Sequence, residues 1–353
     1  MTVDTQNLPS PPAEIVPLND AESGLSGVIV LHSTKLGPAA GGCRFWPYAS
    51  DRDATIDALR LAEGMSYKNA LAGLPLGGGK AVIRHPEGKI DRPALFRAFG
   101  RAVAELGGRY ITAEDVGTTV KDMQYIAETT RFVAGLPAKP GMPGGDPSPW
   151  TALGTFRAME VAVARRLGTG LGGLTVAVQG LGNVGYALCA LLHKSGARLI
   201  VAEPRSEIAA KAAVEFGAEI MSSKSLLEAN ADVFAPCALG GVVDSAAVMK
   251  LRAKVVCGAA NNQLATPEQG SELAARDVLY APDYVVNAGG IINVAAEYLH
   301  WSEEEVQSRV GQIAATLTSV LDHAHETGLA PNAAADSLAR DVIARQNRFS
   351  AAA

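Results

Sequence analysis

Residues Thr175-Val-Ala-Val-Gln-Gly180-Leu-Gly-Asn-Val-Gly185 constrain the fold more than any other stretch of this chain. Val176, Ala177 and Val178 form the short apolar run that a strand buried on both faces requires. Gly180, Gly182 and Gly185 follow in G-x-G-x-x-G spacing, and Val184, Leu188, Leu191 and Leu192 then recur along one side of a helix. The first glycine allows a tight turn, the second lets a pyrophosphate approach, and the third lets helix and strand pack closely. Free N–H groups and the dipole at the helix N-terminus favour the negative charge. A second strand, Arg198-Leu-Ile-Val-Ala, runs into Glu203, 23 positions beyond Gly180. An acid there accepts ribose hydroxyls and repels a 2′-phosphate, which favours NAD over NADP, while Arg205 two residues later works against that preference. Strand, glycines, helix, strand and acid in register predict a doubly wound α/β nucleotide domain, where a lone glycine motif would predict nothing.

A different glycine run precedes it: Gly73-Leu-Pro-Leu-Gly-Gly-Gly-Lys80-Ala, with Lys68 twelve residues before Lys80. This is not a phosphate-binding P-loop, because Leu74 and Ala81 stand where that motif needs glycine and a hydroxyl residue. Three glycines leave no Cβ in the way of a bound molecule, so Lys80 is expected at a crowded, concave place. By itself the run reads as a turn followed by a solvated lysine. Beside a dinucleotide site, a pair of lysines reads as part of a catalytic site.

The chain has 353 residues, enough for two domains at about 150 residues each. Its 48% hydrophobic content supplies a core, and only 19% of residues are charged, with a net charge of −5. No basic stripe marks a nucleic-acid surface. No stretch reaches membrane-spanning length and no basic-then-apolar leader opens the sequence, which predicts a soluble cytoplasmic protein. Cys43, Cys189, Cys237 and Cys257 lack metal or redox spacing and read as buried free thiols. His323 and His325 lie two residues apart and share no helix face, so no metal is expected.

Punctuation gives the organisation. Residues 1–24, rich in proline, read as loose or edge structure, and Val28–Leu31 as a strand. Asp53–Lys68 reads as a helix that ends near the first lysine, with a strand continuing from Lys80 through Ala81–Ile83. Pro93–Leu106 is an amphipathic helix and Tyr110–Asp115 a strand entering a turn. The Pro/Gly-dense segment Ala138–Pro149 marks a boundary or hinge. Trp150–Arg166 is a helix leading into the nucleotide fold, and the chain from about Glu303 is helical. These signals divide it into residues 1–140, a first domain with a mixed sheet; residues 141–330, a Rossmann domain; and residues 331–353, a helical segment and tail.

With those residues in view, the chain resembles the glutamate/leucine/phenylalanine/valine dehydrogenases, and within them the leucine and valine enzymes most. The resemblance rests on Gly37-Pro-Ala-Ala-Gly-Gly-Cys-Arg44, Gly64-Met-Ser-Tyr-Lys68-Asn-Ala, Gly77-Gly-Gly-Lys80 and Gly108-Arg-Tyr-Ile-Thr-Ala-Glu-Asp115-Val-Gly. It continues through the Gly180 fingerprint, Ala235-Pro-Cys-Ala-Leu-Gly-Gly241, Gly258-Ala-Ala-Asn-Asn262-Gln and Tyr280-Ala-Pro-Asp-Tyr-Val-Val-Asn-Ala-Gly-Gly290. It implies a substrate domain followed by an NAD domain, an active site in the cleft, a homo-oligomer, and NAD-dependent, reversible oxidative deamination of an amino acid to its 2-oxo acid and ammonia. It further implies that Lys80 is the general base, that Lys68 holds the substrate carboxylate, and that Asp115 assists proton transfer at nitrogen. Gly41 and Gly42 would lend main-chain contacts, Met65 a pocket wall, and Asn262 a contact to substrate or nicotinamide. Cofactor contacts would come from Gly180, Leu181, Gly182, Asn183, Val184, Gly185, Glu203, Arg205, Ala238, Ala260 and Asn261. A lysine takes up a proton only in its neutral form, which a neighbouring cation and a dry site favour.

Substrate choice follows from the same mapping. Ala40 and Val294 stand where the glutamate enzymes place the lysine and serine that read a side-chain carboxylate, and Ala113 and Ile291 complete an apolar wall. A second carboxylate buried there without a partner would cost several kcal/mol, so glutamate is excluded. Leucine, valine or isoleucine is the expected substrate. Because Ala40 is small, phenylalanine is the alternative, and a non-catalytic NAD-binding protein is the reading from another class.

Overall fold

The computed structural model describes residues 11–137 and 144–350, the last five by backbone alone. Residues 1–10, the part of the Pro/Gly segment at 138–143, and the alanine tail at 351–353 lie outside the described residues.

The chain divides into two compact units: residues 1–146 with 293–303 and 339–353, and residues 147–292 with 304–338. The sequence boundaries at 140 and 330 miss the two late segments that return to the first unit, since nothing local in a helical pattern says which unit it packs on. Glu297 makes one such return visible: its carboxylate accepts the backbone N–H groups of Gly135 and Leu136 at 2.8 and 3.1 Å.

In chain order the first unit holds β1 (Glu14–Asp20), β2 (Leu25–Ser33), β3 (Ala39–Trp46), α1 (Asp51–Leu71), β4 (Gly77–Arg84), α2 (Arg92–Glu105), β5 (Tyr110–Glu114) and α3 (Val120–Ala127). The strands form a mixed sheet in the order β1-β2-β4-β3-β5. β1 and β2 are antiparallel, as are β2 and β4, while β3 runs parallel to both β4 and β5. Alternation along the strands gives each face a cover. Ile29, Leu31, Ala81 and Ile83 meet Leu95, Phe96, Phe99 and Val103 of α2, with Met123 and Ile126 of α3. Val28, Val30 and Val82 meet Ala54, Ala58 and Ala62 of α1. Alanines four residues apart give that helix a flat stripe, so it lies close to the sheet.

The glycines of β4 make that approach possible. A Cβ on Gly78 would fall 2.0 Å from the backbone nitrogen of Ser66 in α1, and one on Gly77 would fall 1.9 Å from the Ser33 carbonyl oxygen. This corrects the expectation that the run lies open to a bound molecule. Its missing side chains are used up by protein backbone, and the run is strand, not turn. The consequence is the same crowding at Lys80, reached by a different route.

The second unit holds α4 (Ser148–Leu167), β6 (Thr175–Gln179), α5 (Asn183–Lys194), β7 (Arg198–Ala202), α6 (Ser206–Phe216), β8 (Glu219–Ile220), α7 (Ser223–Leu226), β9 (Val233–Pro236), α8 (Ser245–Lys250), β10 (Val255–Val256), α9 (Glu268–Ala275), β11 (Leu279–Tyr280) and α10 (Asp283–Val286). Then come α11 (Gly289–Leu299), α12 (Glu303–Thr327) and α13 (Pro331–Ser350). All pairings in this sheet are parallel, in the order β8-β7-β6-β9-β10-β11. That is the doubly wound Rossmann order, with its reversal point between β6 and β9. Among the described residues no helix is long and apolar enough to cross a membrane, and Cys43, Cys189, Cys237 and Cys257 are free thiols.

Close packing at β4 predicts opposite effects for two glycine substitutions. Gly78→Ala should destabilise the protein by about 1–3 kcal/mol, the usual cost of overpacking. Gly64 sits in the middle of α1, where an added Cβ would meet nothing within 4 Å, so Gly64→Ala should gain about 0.5–1 kcal/mol from helix propensity. Urea unfolding of both variants checks this, and an unharmed Gly78→Ala would mean that the contact yields easily.

Candidate active site

Period-two alternation puts Ala40, Gly42 and Arg44 of β3, Gly78 and Lys80 of β4, and Ala113 of β5 on the sheet face that α1 covers. The registers agree: Ala40 pairs with Gly78, Val30 with Lys80, and Gly42 with Ala113. The β3–β4 ladder runs through Ala40 and resumes at Cys43 opposite Ala81. The main chain of Gly41 and Gly42 therefore sits at a break in the ladder, level with Lys80. Gly41 is held by the buried Tyr110, whose hydroxyl donates to its carbonyl at 2.7 Å. The Met65 side chain lies over Gly41, where a Cβ would come within 3.1 Å of it. Asn69, fully buried in α1, donates to the Gly77 carbonyl at 2.6 Å and reaches that of Ala40 at 3.5 Å. α1 thus clamps the ends of β3 and β4, and Lys68 lies in the turn of helix between Met65 and Asn69.

Asp115 follows β5 immediately, in a turn that points its carboxylate back toward β3. Its backbone N–H donates to Thr118 Oγ1 at 2.9 Å, and the Thr118 hydroxyl reaches the carbonyls of Cys43 and Asp115 at 3.1 and 2.8 Å. Only glycine fits at position 42, because a Cβ would meet Asp115 Cβ at 2.7 Å. Lys80 Nζ lies 2.7 Å from Asp115 Oδ2, and the lysine side chain is 6% exposed against 18% for the aspartate. Arg44 Nε donates to the same oxygen at 3.1 Å. Burial by itself would raise the Asp115 carboxyl, but Lys80 and Arg44 outweigh it and hold the group below the usual carboxylate range. Nearby Cys43 is pushed the other way, by burial first and Asp115 second, and stays a thiol.

In the second unit the glycine loop has the shape that a pyrophosphate needs. Gly180 takes φ +93°, and a Cβ there would come 2.7 Å from that of Ala238, so the ends of β6 and β9 touch at the reversal point. A Cβ on Gly185 would lie 2.0 Å from the Gly180 carbonyl oxygen. Gly182 caps α5 without any side chain over the helix end, which keeps the N–H groups of Asn183, Val184 and Gly185 open to an anion. Glu203 ties this loop to β7. One carboxylate oxygen accepts the Leu181 N–H at 2.7 Å, and the other accepts Arg205 Nε at 2.7 Å and Arg205 N–H at 3.2 Å. The Arg205 side chain first, then the backbone donors, lower the Glu203 carboxyl to about 2. On the far side of the reversal point, the Gly241 N–H donates to the Asn262 carbonyl at 2.7 Å, and Asn287 donates to Asn261 Oδ1 at 2.8 Å. Asn262 itself adopts φ +52°. The 238–241 loop is so fastened to the segment carrying Ala260, Asn261 and Asn262.

Lys80, Asp115, Ala40, Gly41, Gly42, Met65 and Ala113 are therefore gathered in the first unit, to which Val294 also belongs. The nucleotide-motif residues, Asn262 and Ile291 belong to the second. Sequence reading gives no role to Arg44, Asp57, Tyr48 or Asn69. Arg44 could have been found from its place two residues after Gly42, on the same face of a strand, whereas the others answer to contacts far apart in sequence. Among the described residues no cluster of side chains is built to hold a metal.

Residues 14–132 match the family described as Glu/Leu/Phe/Val dehydrogenase, dimerisation domain, and residues 200–350 match Glutamate/Leucine/Phenylalanine/Valine dehydrogenase. The chain is 47% identical to a leucine dehydrogenase of Thermoactinomyces intermedius over 331 residues, 94% of this chain and 90% of that one. It is 45% identical to a valine dehydrogenase of Streptomyces coelicolor over 336 residues, 94% of this chain and 92% of the relative. A crystal structure of L-tryptophan dehydrogenase from Nostoc punctiforme superposes with a TM-score of 0.85 at 39% identity, covering 96% of this chain and 97% of the other.

The lowered Glu203 carboxyl carries a sign. Its folded value lies below the unfolded one, near 4.3, so it stabilises the protein above that pH and the contribution is lost as pH falls toward about 2. Wild type should melt a few degrees above Glu203→Gln at neutral pH, with the difference shrinking to nothing by pH of about 2 in a thermal scan series. A difference that grows on acidification would contradict the assignment.

Proposed function

Because the chain belongs to the Glu/Leu/Phe/Val dehydrogenase family and is an amino-acid dehydrogenase, we propose that it deaminates branched-chain L-amino acids reversibly, with NAD as cofactor and Lys80 as general base. The observation that carries the reading is the buried 2.7 Å contact between Lys80 and Asp115, with the apolar Ala40 and Ala113 on the same sheet face. Lys68 holds the substrate carboxylate and Asn262 contacts substrate or nicotinamide. Ala40, Ala113, Ile291 and Val294 receive the side chain. When bound, the dinucleotide supplies a hydride acceptor for the α-carbon. Lys80 then takes the proton of the water that adds to the resulting iminium carbon, and the main chain of Gly41 and Gly42 steadies the substrate. Asp115 relays that proton from Lys80 to the nitrogen, which leaves as ammonia while the added hydroxyl gives its remaining proton to Lys80 and becomes the carbonyl of the 2-oxo acid. A 2.7 Å separation lets Lys80 and Asp115 exchange that proton without moving heavy atoms.

The Gly180–Gly185 loop and the open end of α5 fit a pyrophosphate, and Glu203 retains acceptor capacity on the oxygen that Leu181 occupies only once. That supports NAD over NADP, with Arg205 neutralised by the acid it would otherwise oppose. The dimerisation-domain match of residues 14–132 supports a homo-oligomer, which we place in the cytoplasm. Phenylalanine remains the second reading, favoured by two observations: the small Ala40 leaves room at the pocket floor, and the tryptophan enzyme is a structural neighbour.

NADH formation from valine, leucine, phenylalanine and glutamate separates these readings. Leucine and valine should be turned over well and glutamate not at all. Ala40→Leu should depress phenylalanine kcat/KM by about 10-fold or more and valine little, since overpacking a rigid pocket costs about 1–3 kcal/mol. Equal losses for all apolar substrates would mean that residue 40 does not touch the side chain, and glutamate turnover would overturn the substrate class.

A further inference from the structure

Arg44 carries no role in the reading above, yet it is the hinge of a chain of charges ending at Lys80. Its Nε donates to Asp115 Oδ2 at 3.1 Å, and its Nη1 donates to Asp57 Oδ2 at 2.8 Å. Asp57, on the outer part of α1, also accepts from the Tyr48 hydroxyl at 2.5 Å and from Arg60 Nη2 at 3.0 Å. The Arg44, Asp57 and Asp115 side chains are each less than one-fifth exposed. Five groups thus alternate in sign from the surface inward: Arg60, Asp57, Arg44, Asp115, Lys80. Both cations at Asp115 compete for one oxygen, Oδ2. What Arg44 draws from that oxygen, Lys80 does not receive.

We propose that Arg44 is a positioning residue that orients the Asp115 carboxylate and weakens its hold on the Lys80 proton, with Asp57 and Tyr48 fixing the guanidinium from outside. This rests on the assignment of Lys80 and Asp115 above. The planar fork is needed, because one guanidinium must span two carboxylates in set directions. Taking away the Arg44 charge leaves Asp115 to act on Lys80 undivided, which favours protonated Lys80. Taking away the Asp57 charge leaves Arg44 freer to act on Asp115, which does the reverse.

Two readouts test it in the intact protein. One is the pH profile of deamination kcat/KM. The other is the pH at which Lys80 reacts with trace acetic anhydride, read by mass spectrometry of its peptide, which requires no turnover. Arg44→Met should move both midpoints to higher pH by about one unit, the size expected of one charge at short range. Asp57→Asn should move both by less and toward lower pH. Arg44→Lys, which keeps charge but not the fork, should hold the midpoints near wild type while kcat falls, and it shows that the site still folds. If Arg44→Met lowers kcat with neither midpoint displaced, or if Asp57→Asn shifts them in the same direction as Arg44→Met, the proposal is overturned. If the labelling midpoint moves and the kinetic one does not, the charge coupling stands, and it is the assignment of Lys80 as base that fails.

Discussion

Everything about this site depends on one contact, the Lys80–Asp115 ion pair held out of water. A buried ammonium–carboxylate pair is expensive unless its geometry is fixed and its remaining valences are filled. Here fixation comes from backbone. Lys80 is anchored in a strand paired on both sides, and Asp115 sits in a turn tied by Thr118 to the Cys43 carbonyl. Glycines at 42 and 78 let the turn and α1 come close enough to exclude solvent. Arg44 gives the same Asp115 oxygen a second charged donor. The arrangement uses stability to hold the two groups 2.7 Å apart, a separation that suits the proposed proton transfer.

The same economy governs the second unit. Gly180 and Gly185 bring the ends of β6, α5 and β9 to one point, and Glu203 fastens the loop through the Leu181 N–H. The acid expected to select the cofactor is thus also a structural brace, since it holds its loop before any ribose is present. Its partner Arg205 is paired to it, so the guanidinium is not free to recruit a 2′-phosphate without first leaving that carboxylate.

The nucleotide domain is legible in the sequence because its signals are local: a strand, three glycines, a helix and an acid within thirty residues fix their own contacts. Lys80 and Asp115 come together only in the fold, from β4 and the end of β5, and their roles, like that of Lys68 on α1, are expectations of a family resemblance. The glycine run before Lys80 reads in sequence as lining a ligand. Its true neighbours, Ser33 and Ser66, are remote or ambiguous in sequence, and a missing Cβ does not say what fills its place. Arg44 escapes a sequence reading for a related reason. Its partners Asp57 and Asp115 lie 13 and 71 residues away, and only the sheet face reveals that they share it. The late segments that rejoin the first unit have the same helical pattern as those that do not.

A double-mutant cycle on Lys80 and Asp115 tests most directly whether the pair works as one device. Lys80→Ala, Asp115→Asn and the double variant are compared by kcat for leucine deamination, with cofactor binding followed separately. The account predicts losses of at least about 10²-fold for each single change and little further loss in the double variant, since either change already dismantles the proton path. Losses that multiply would show that the two residues act independently and would contradict the account.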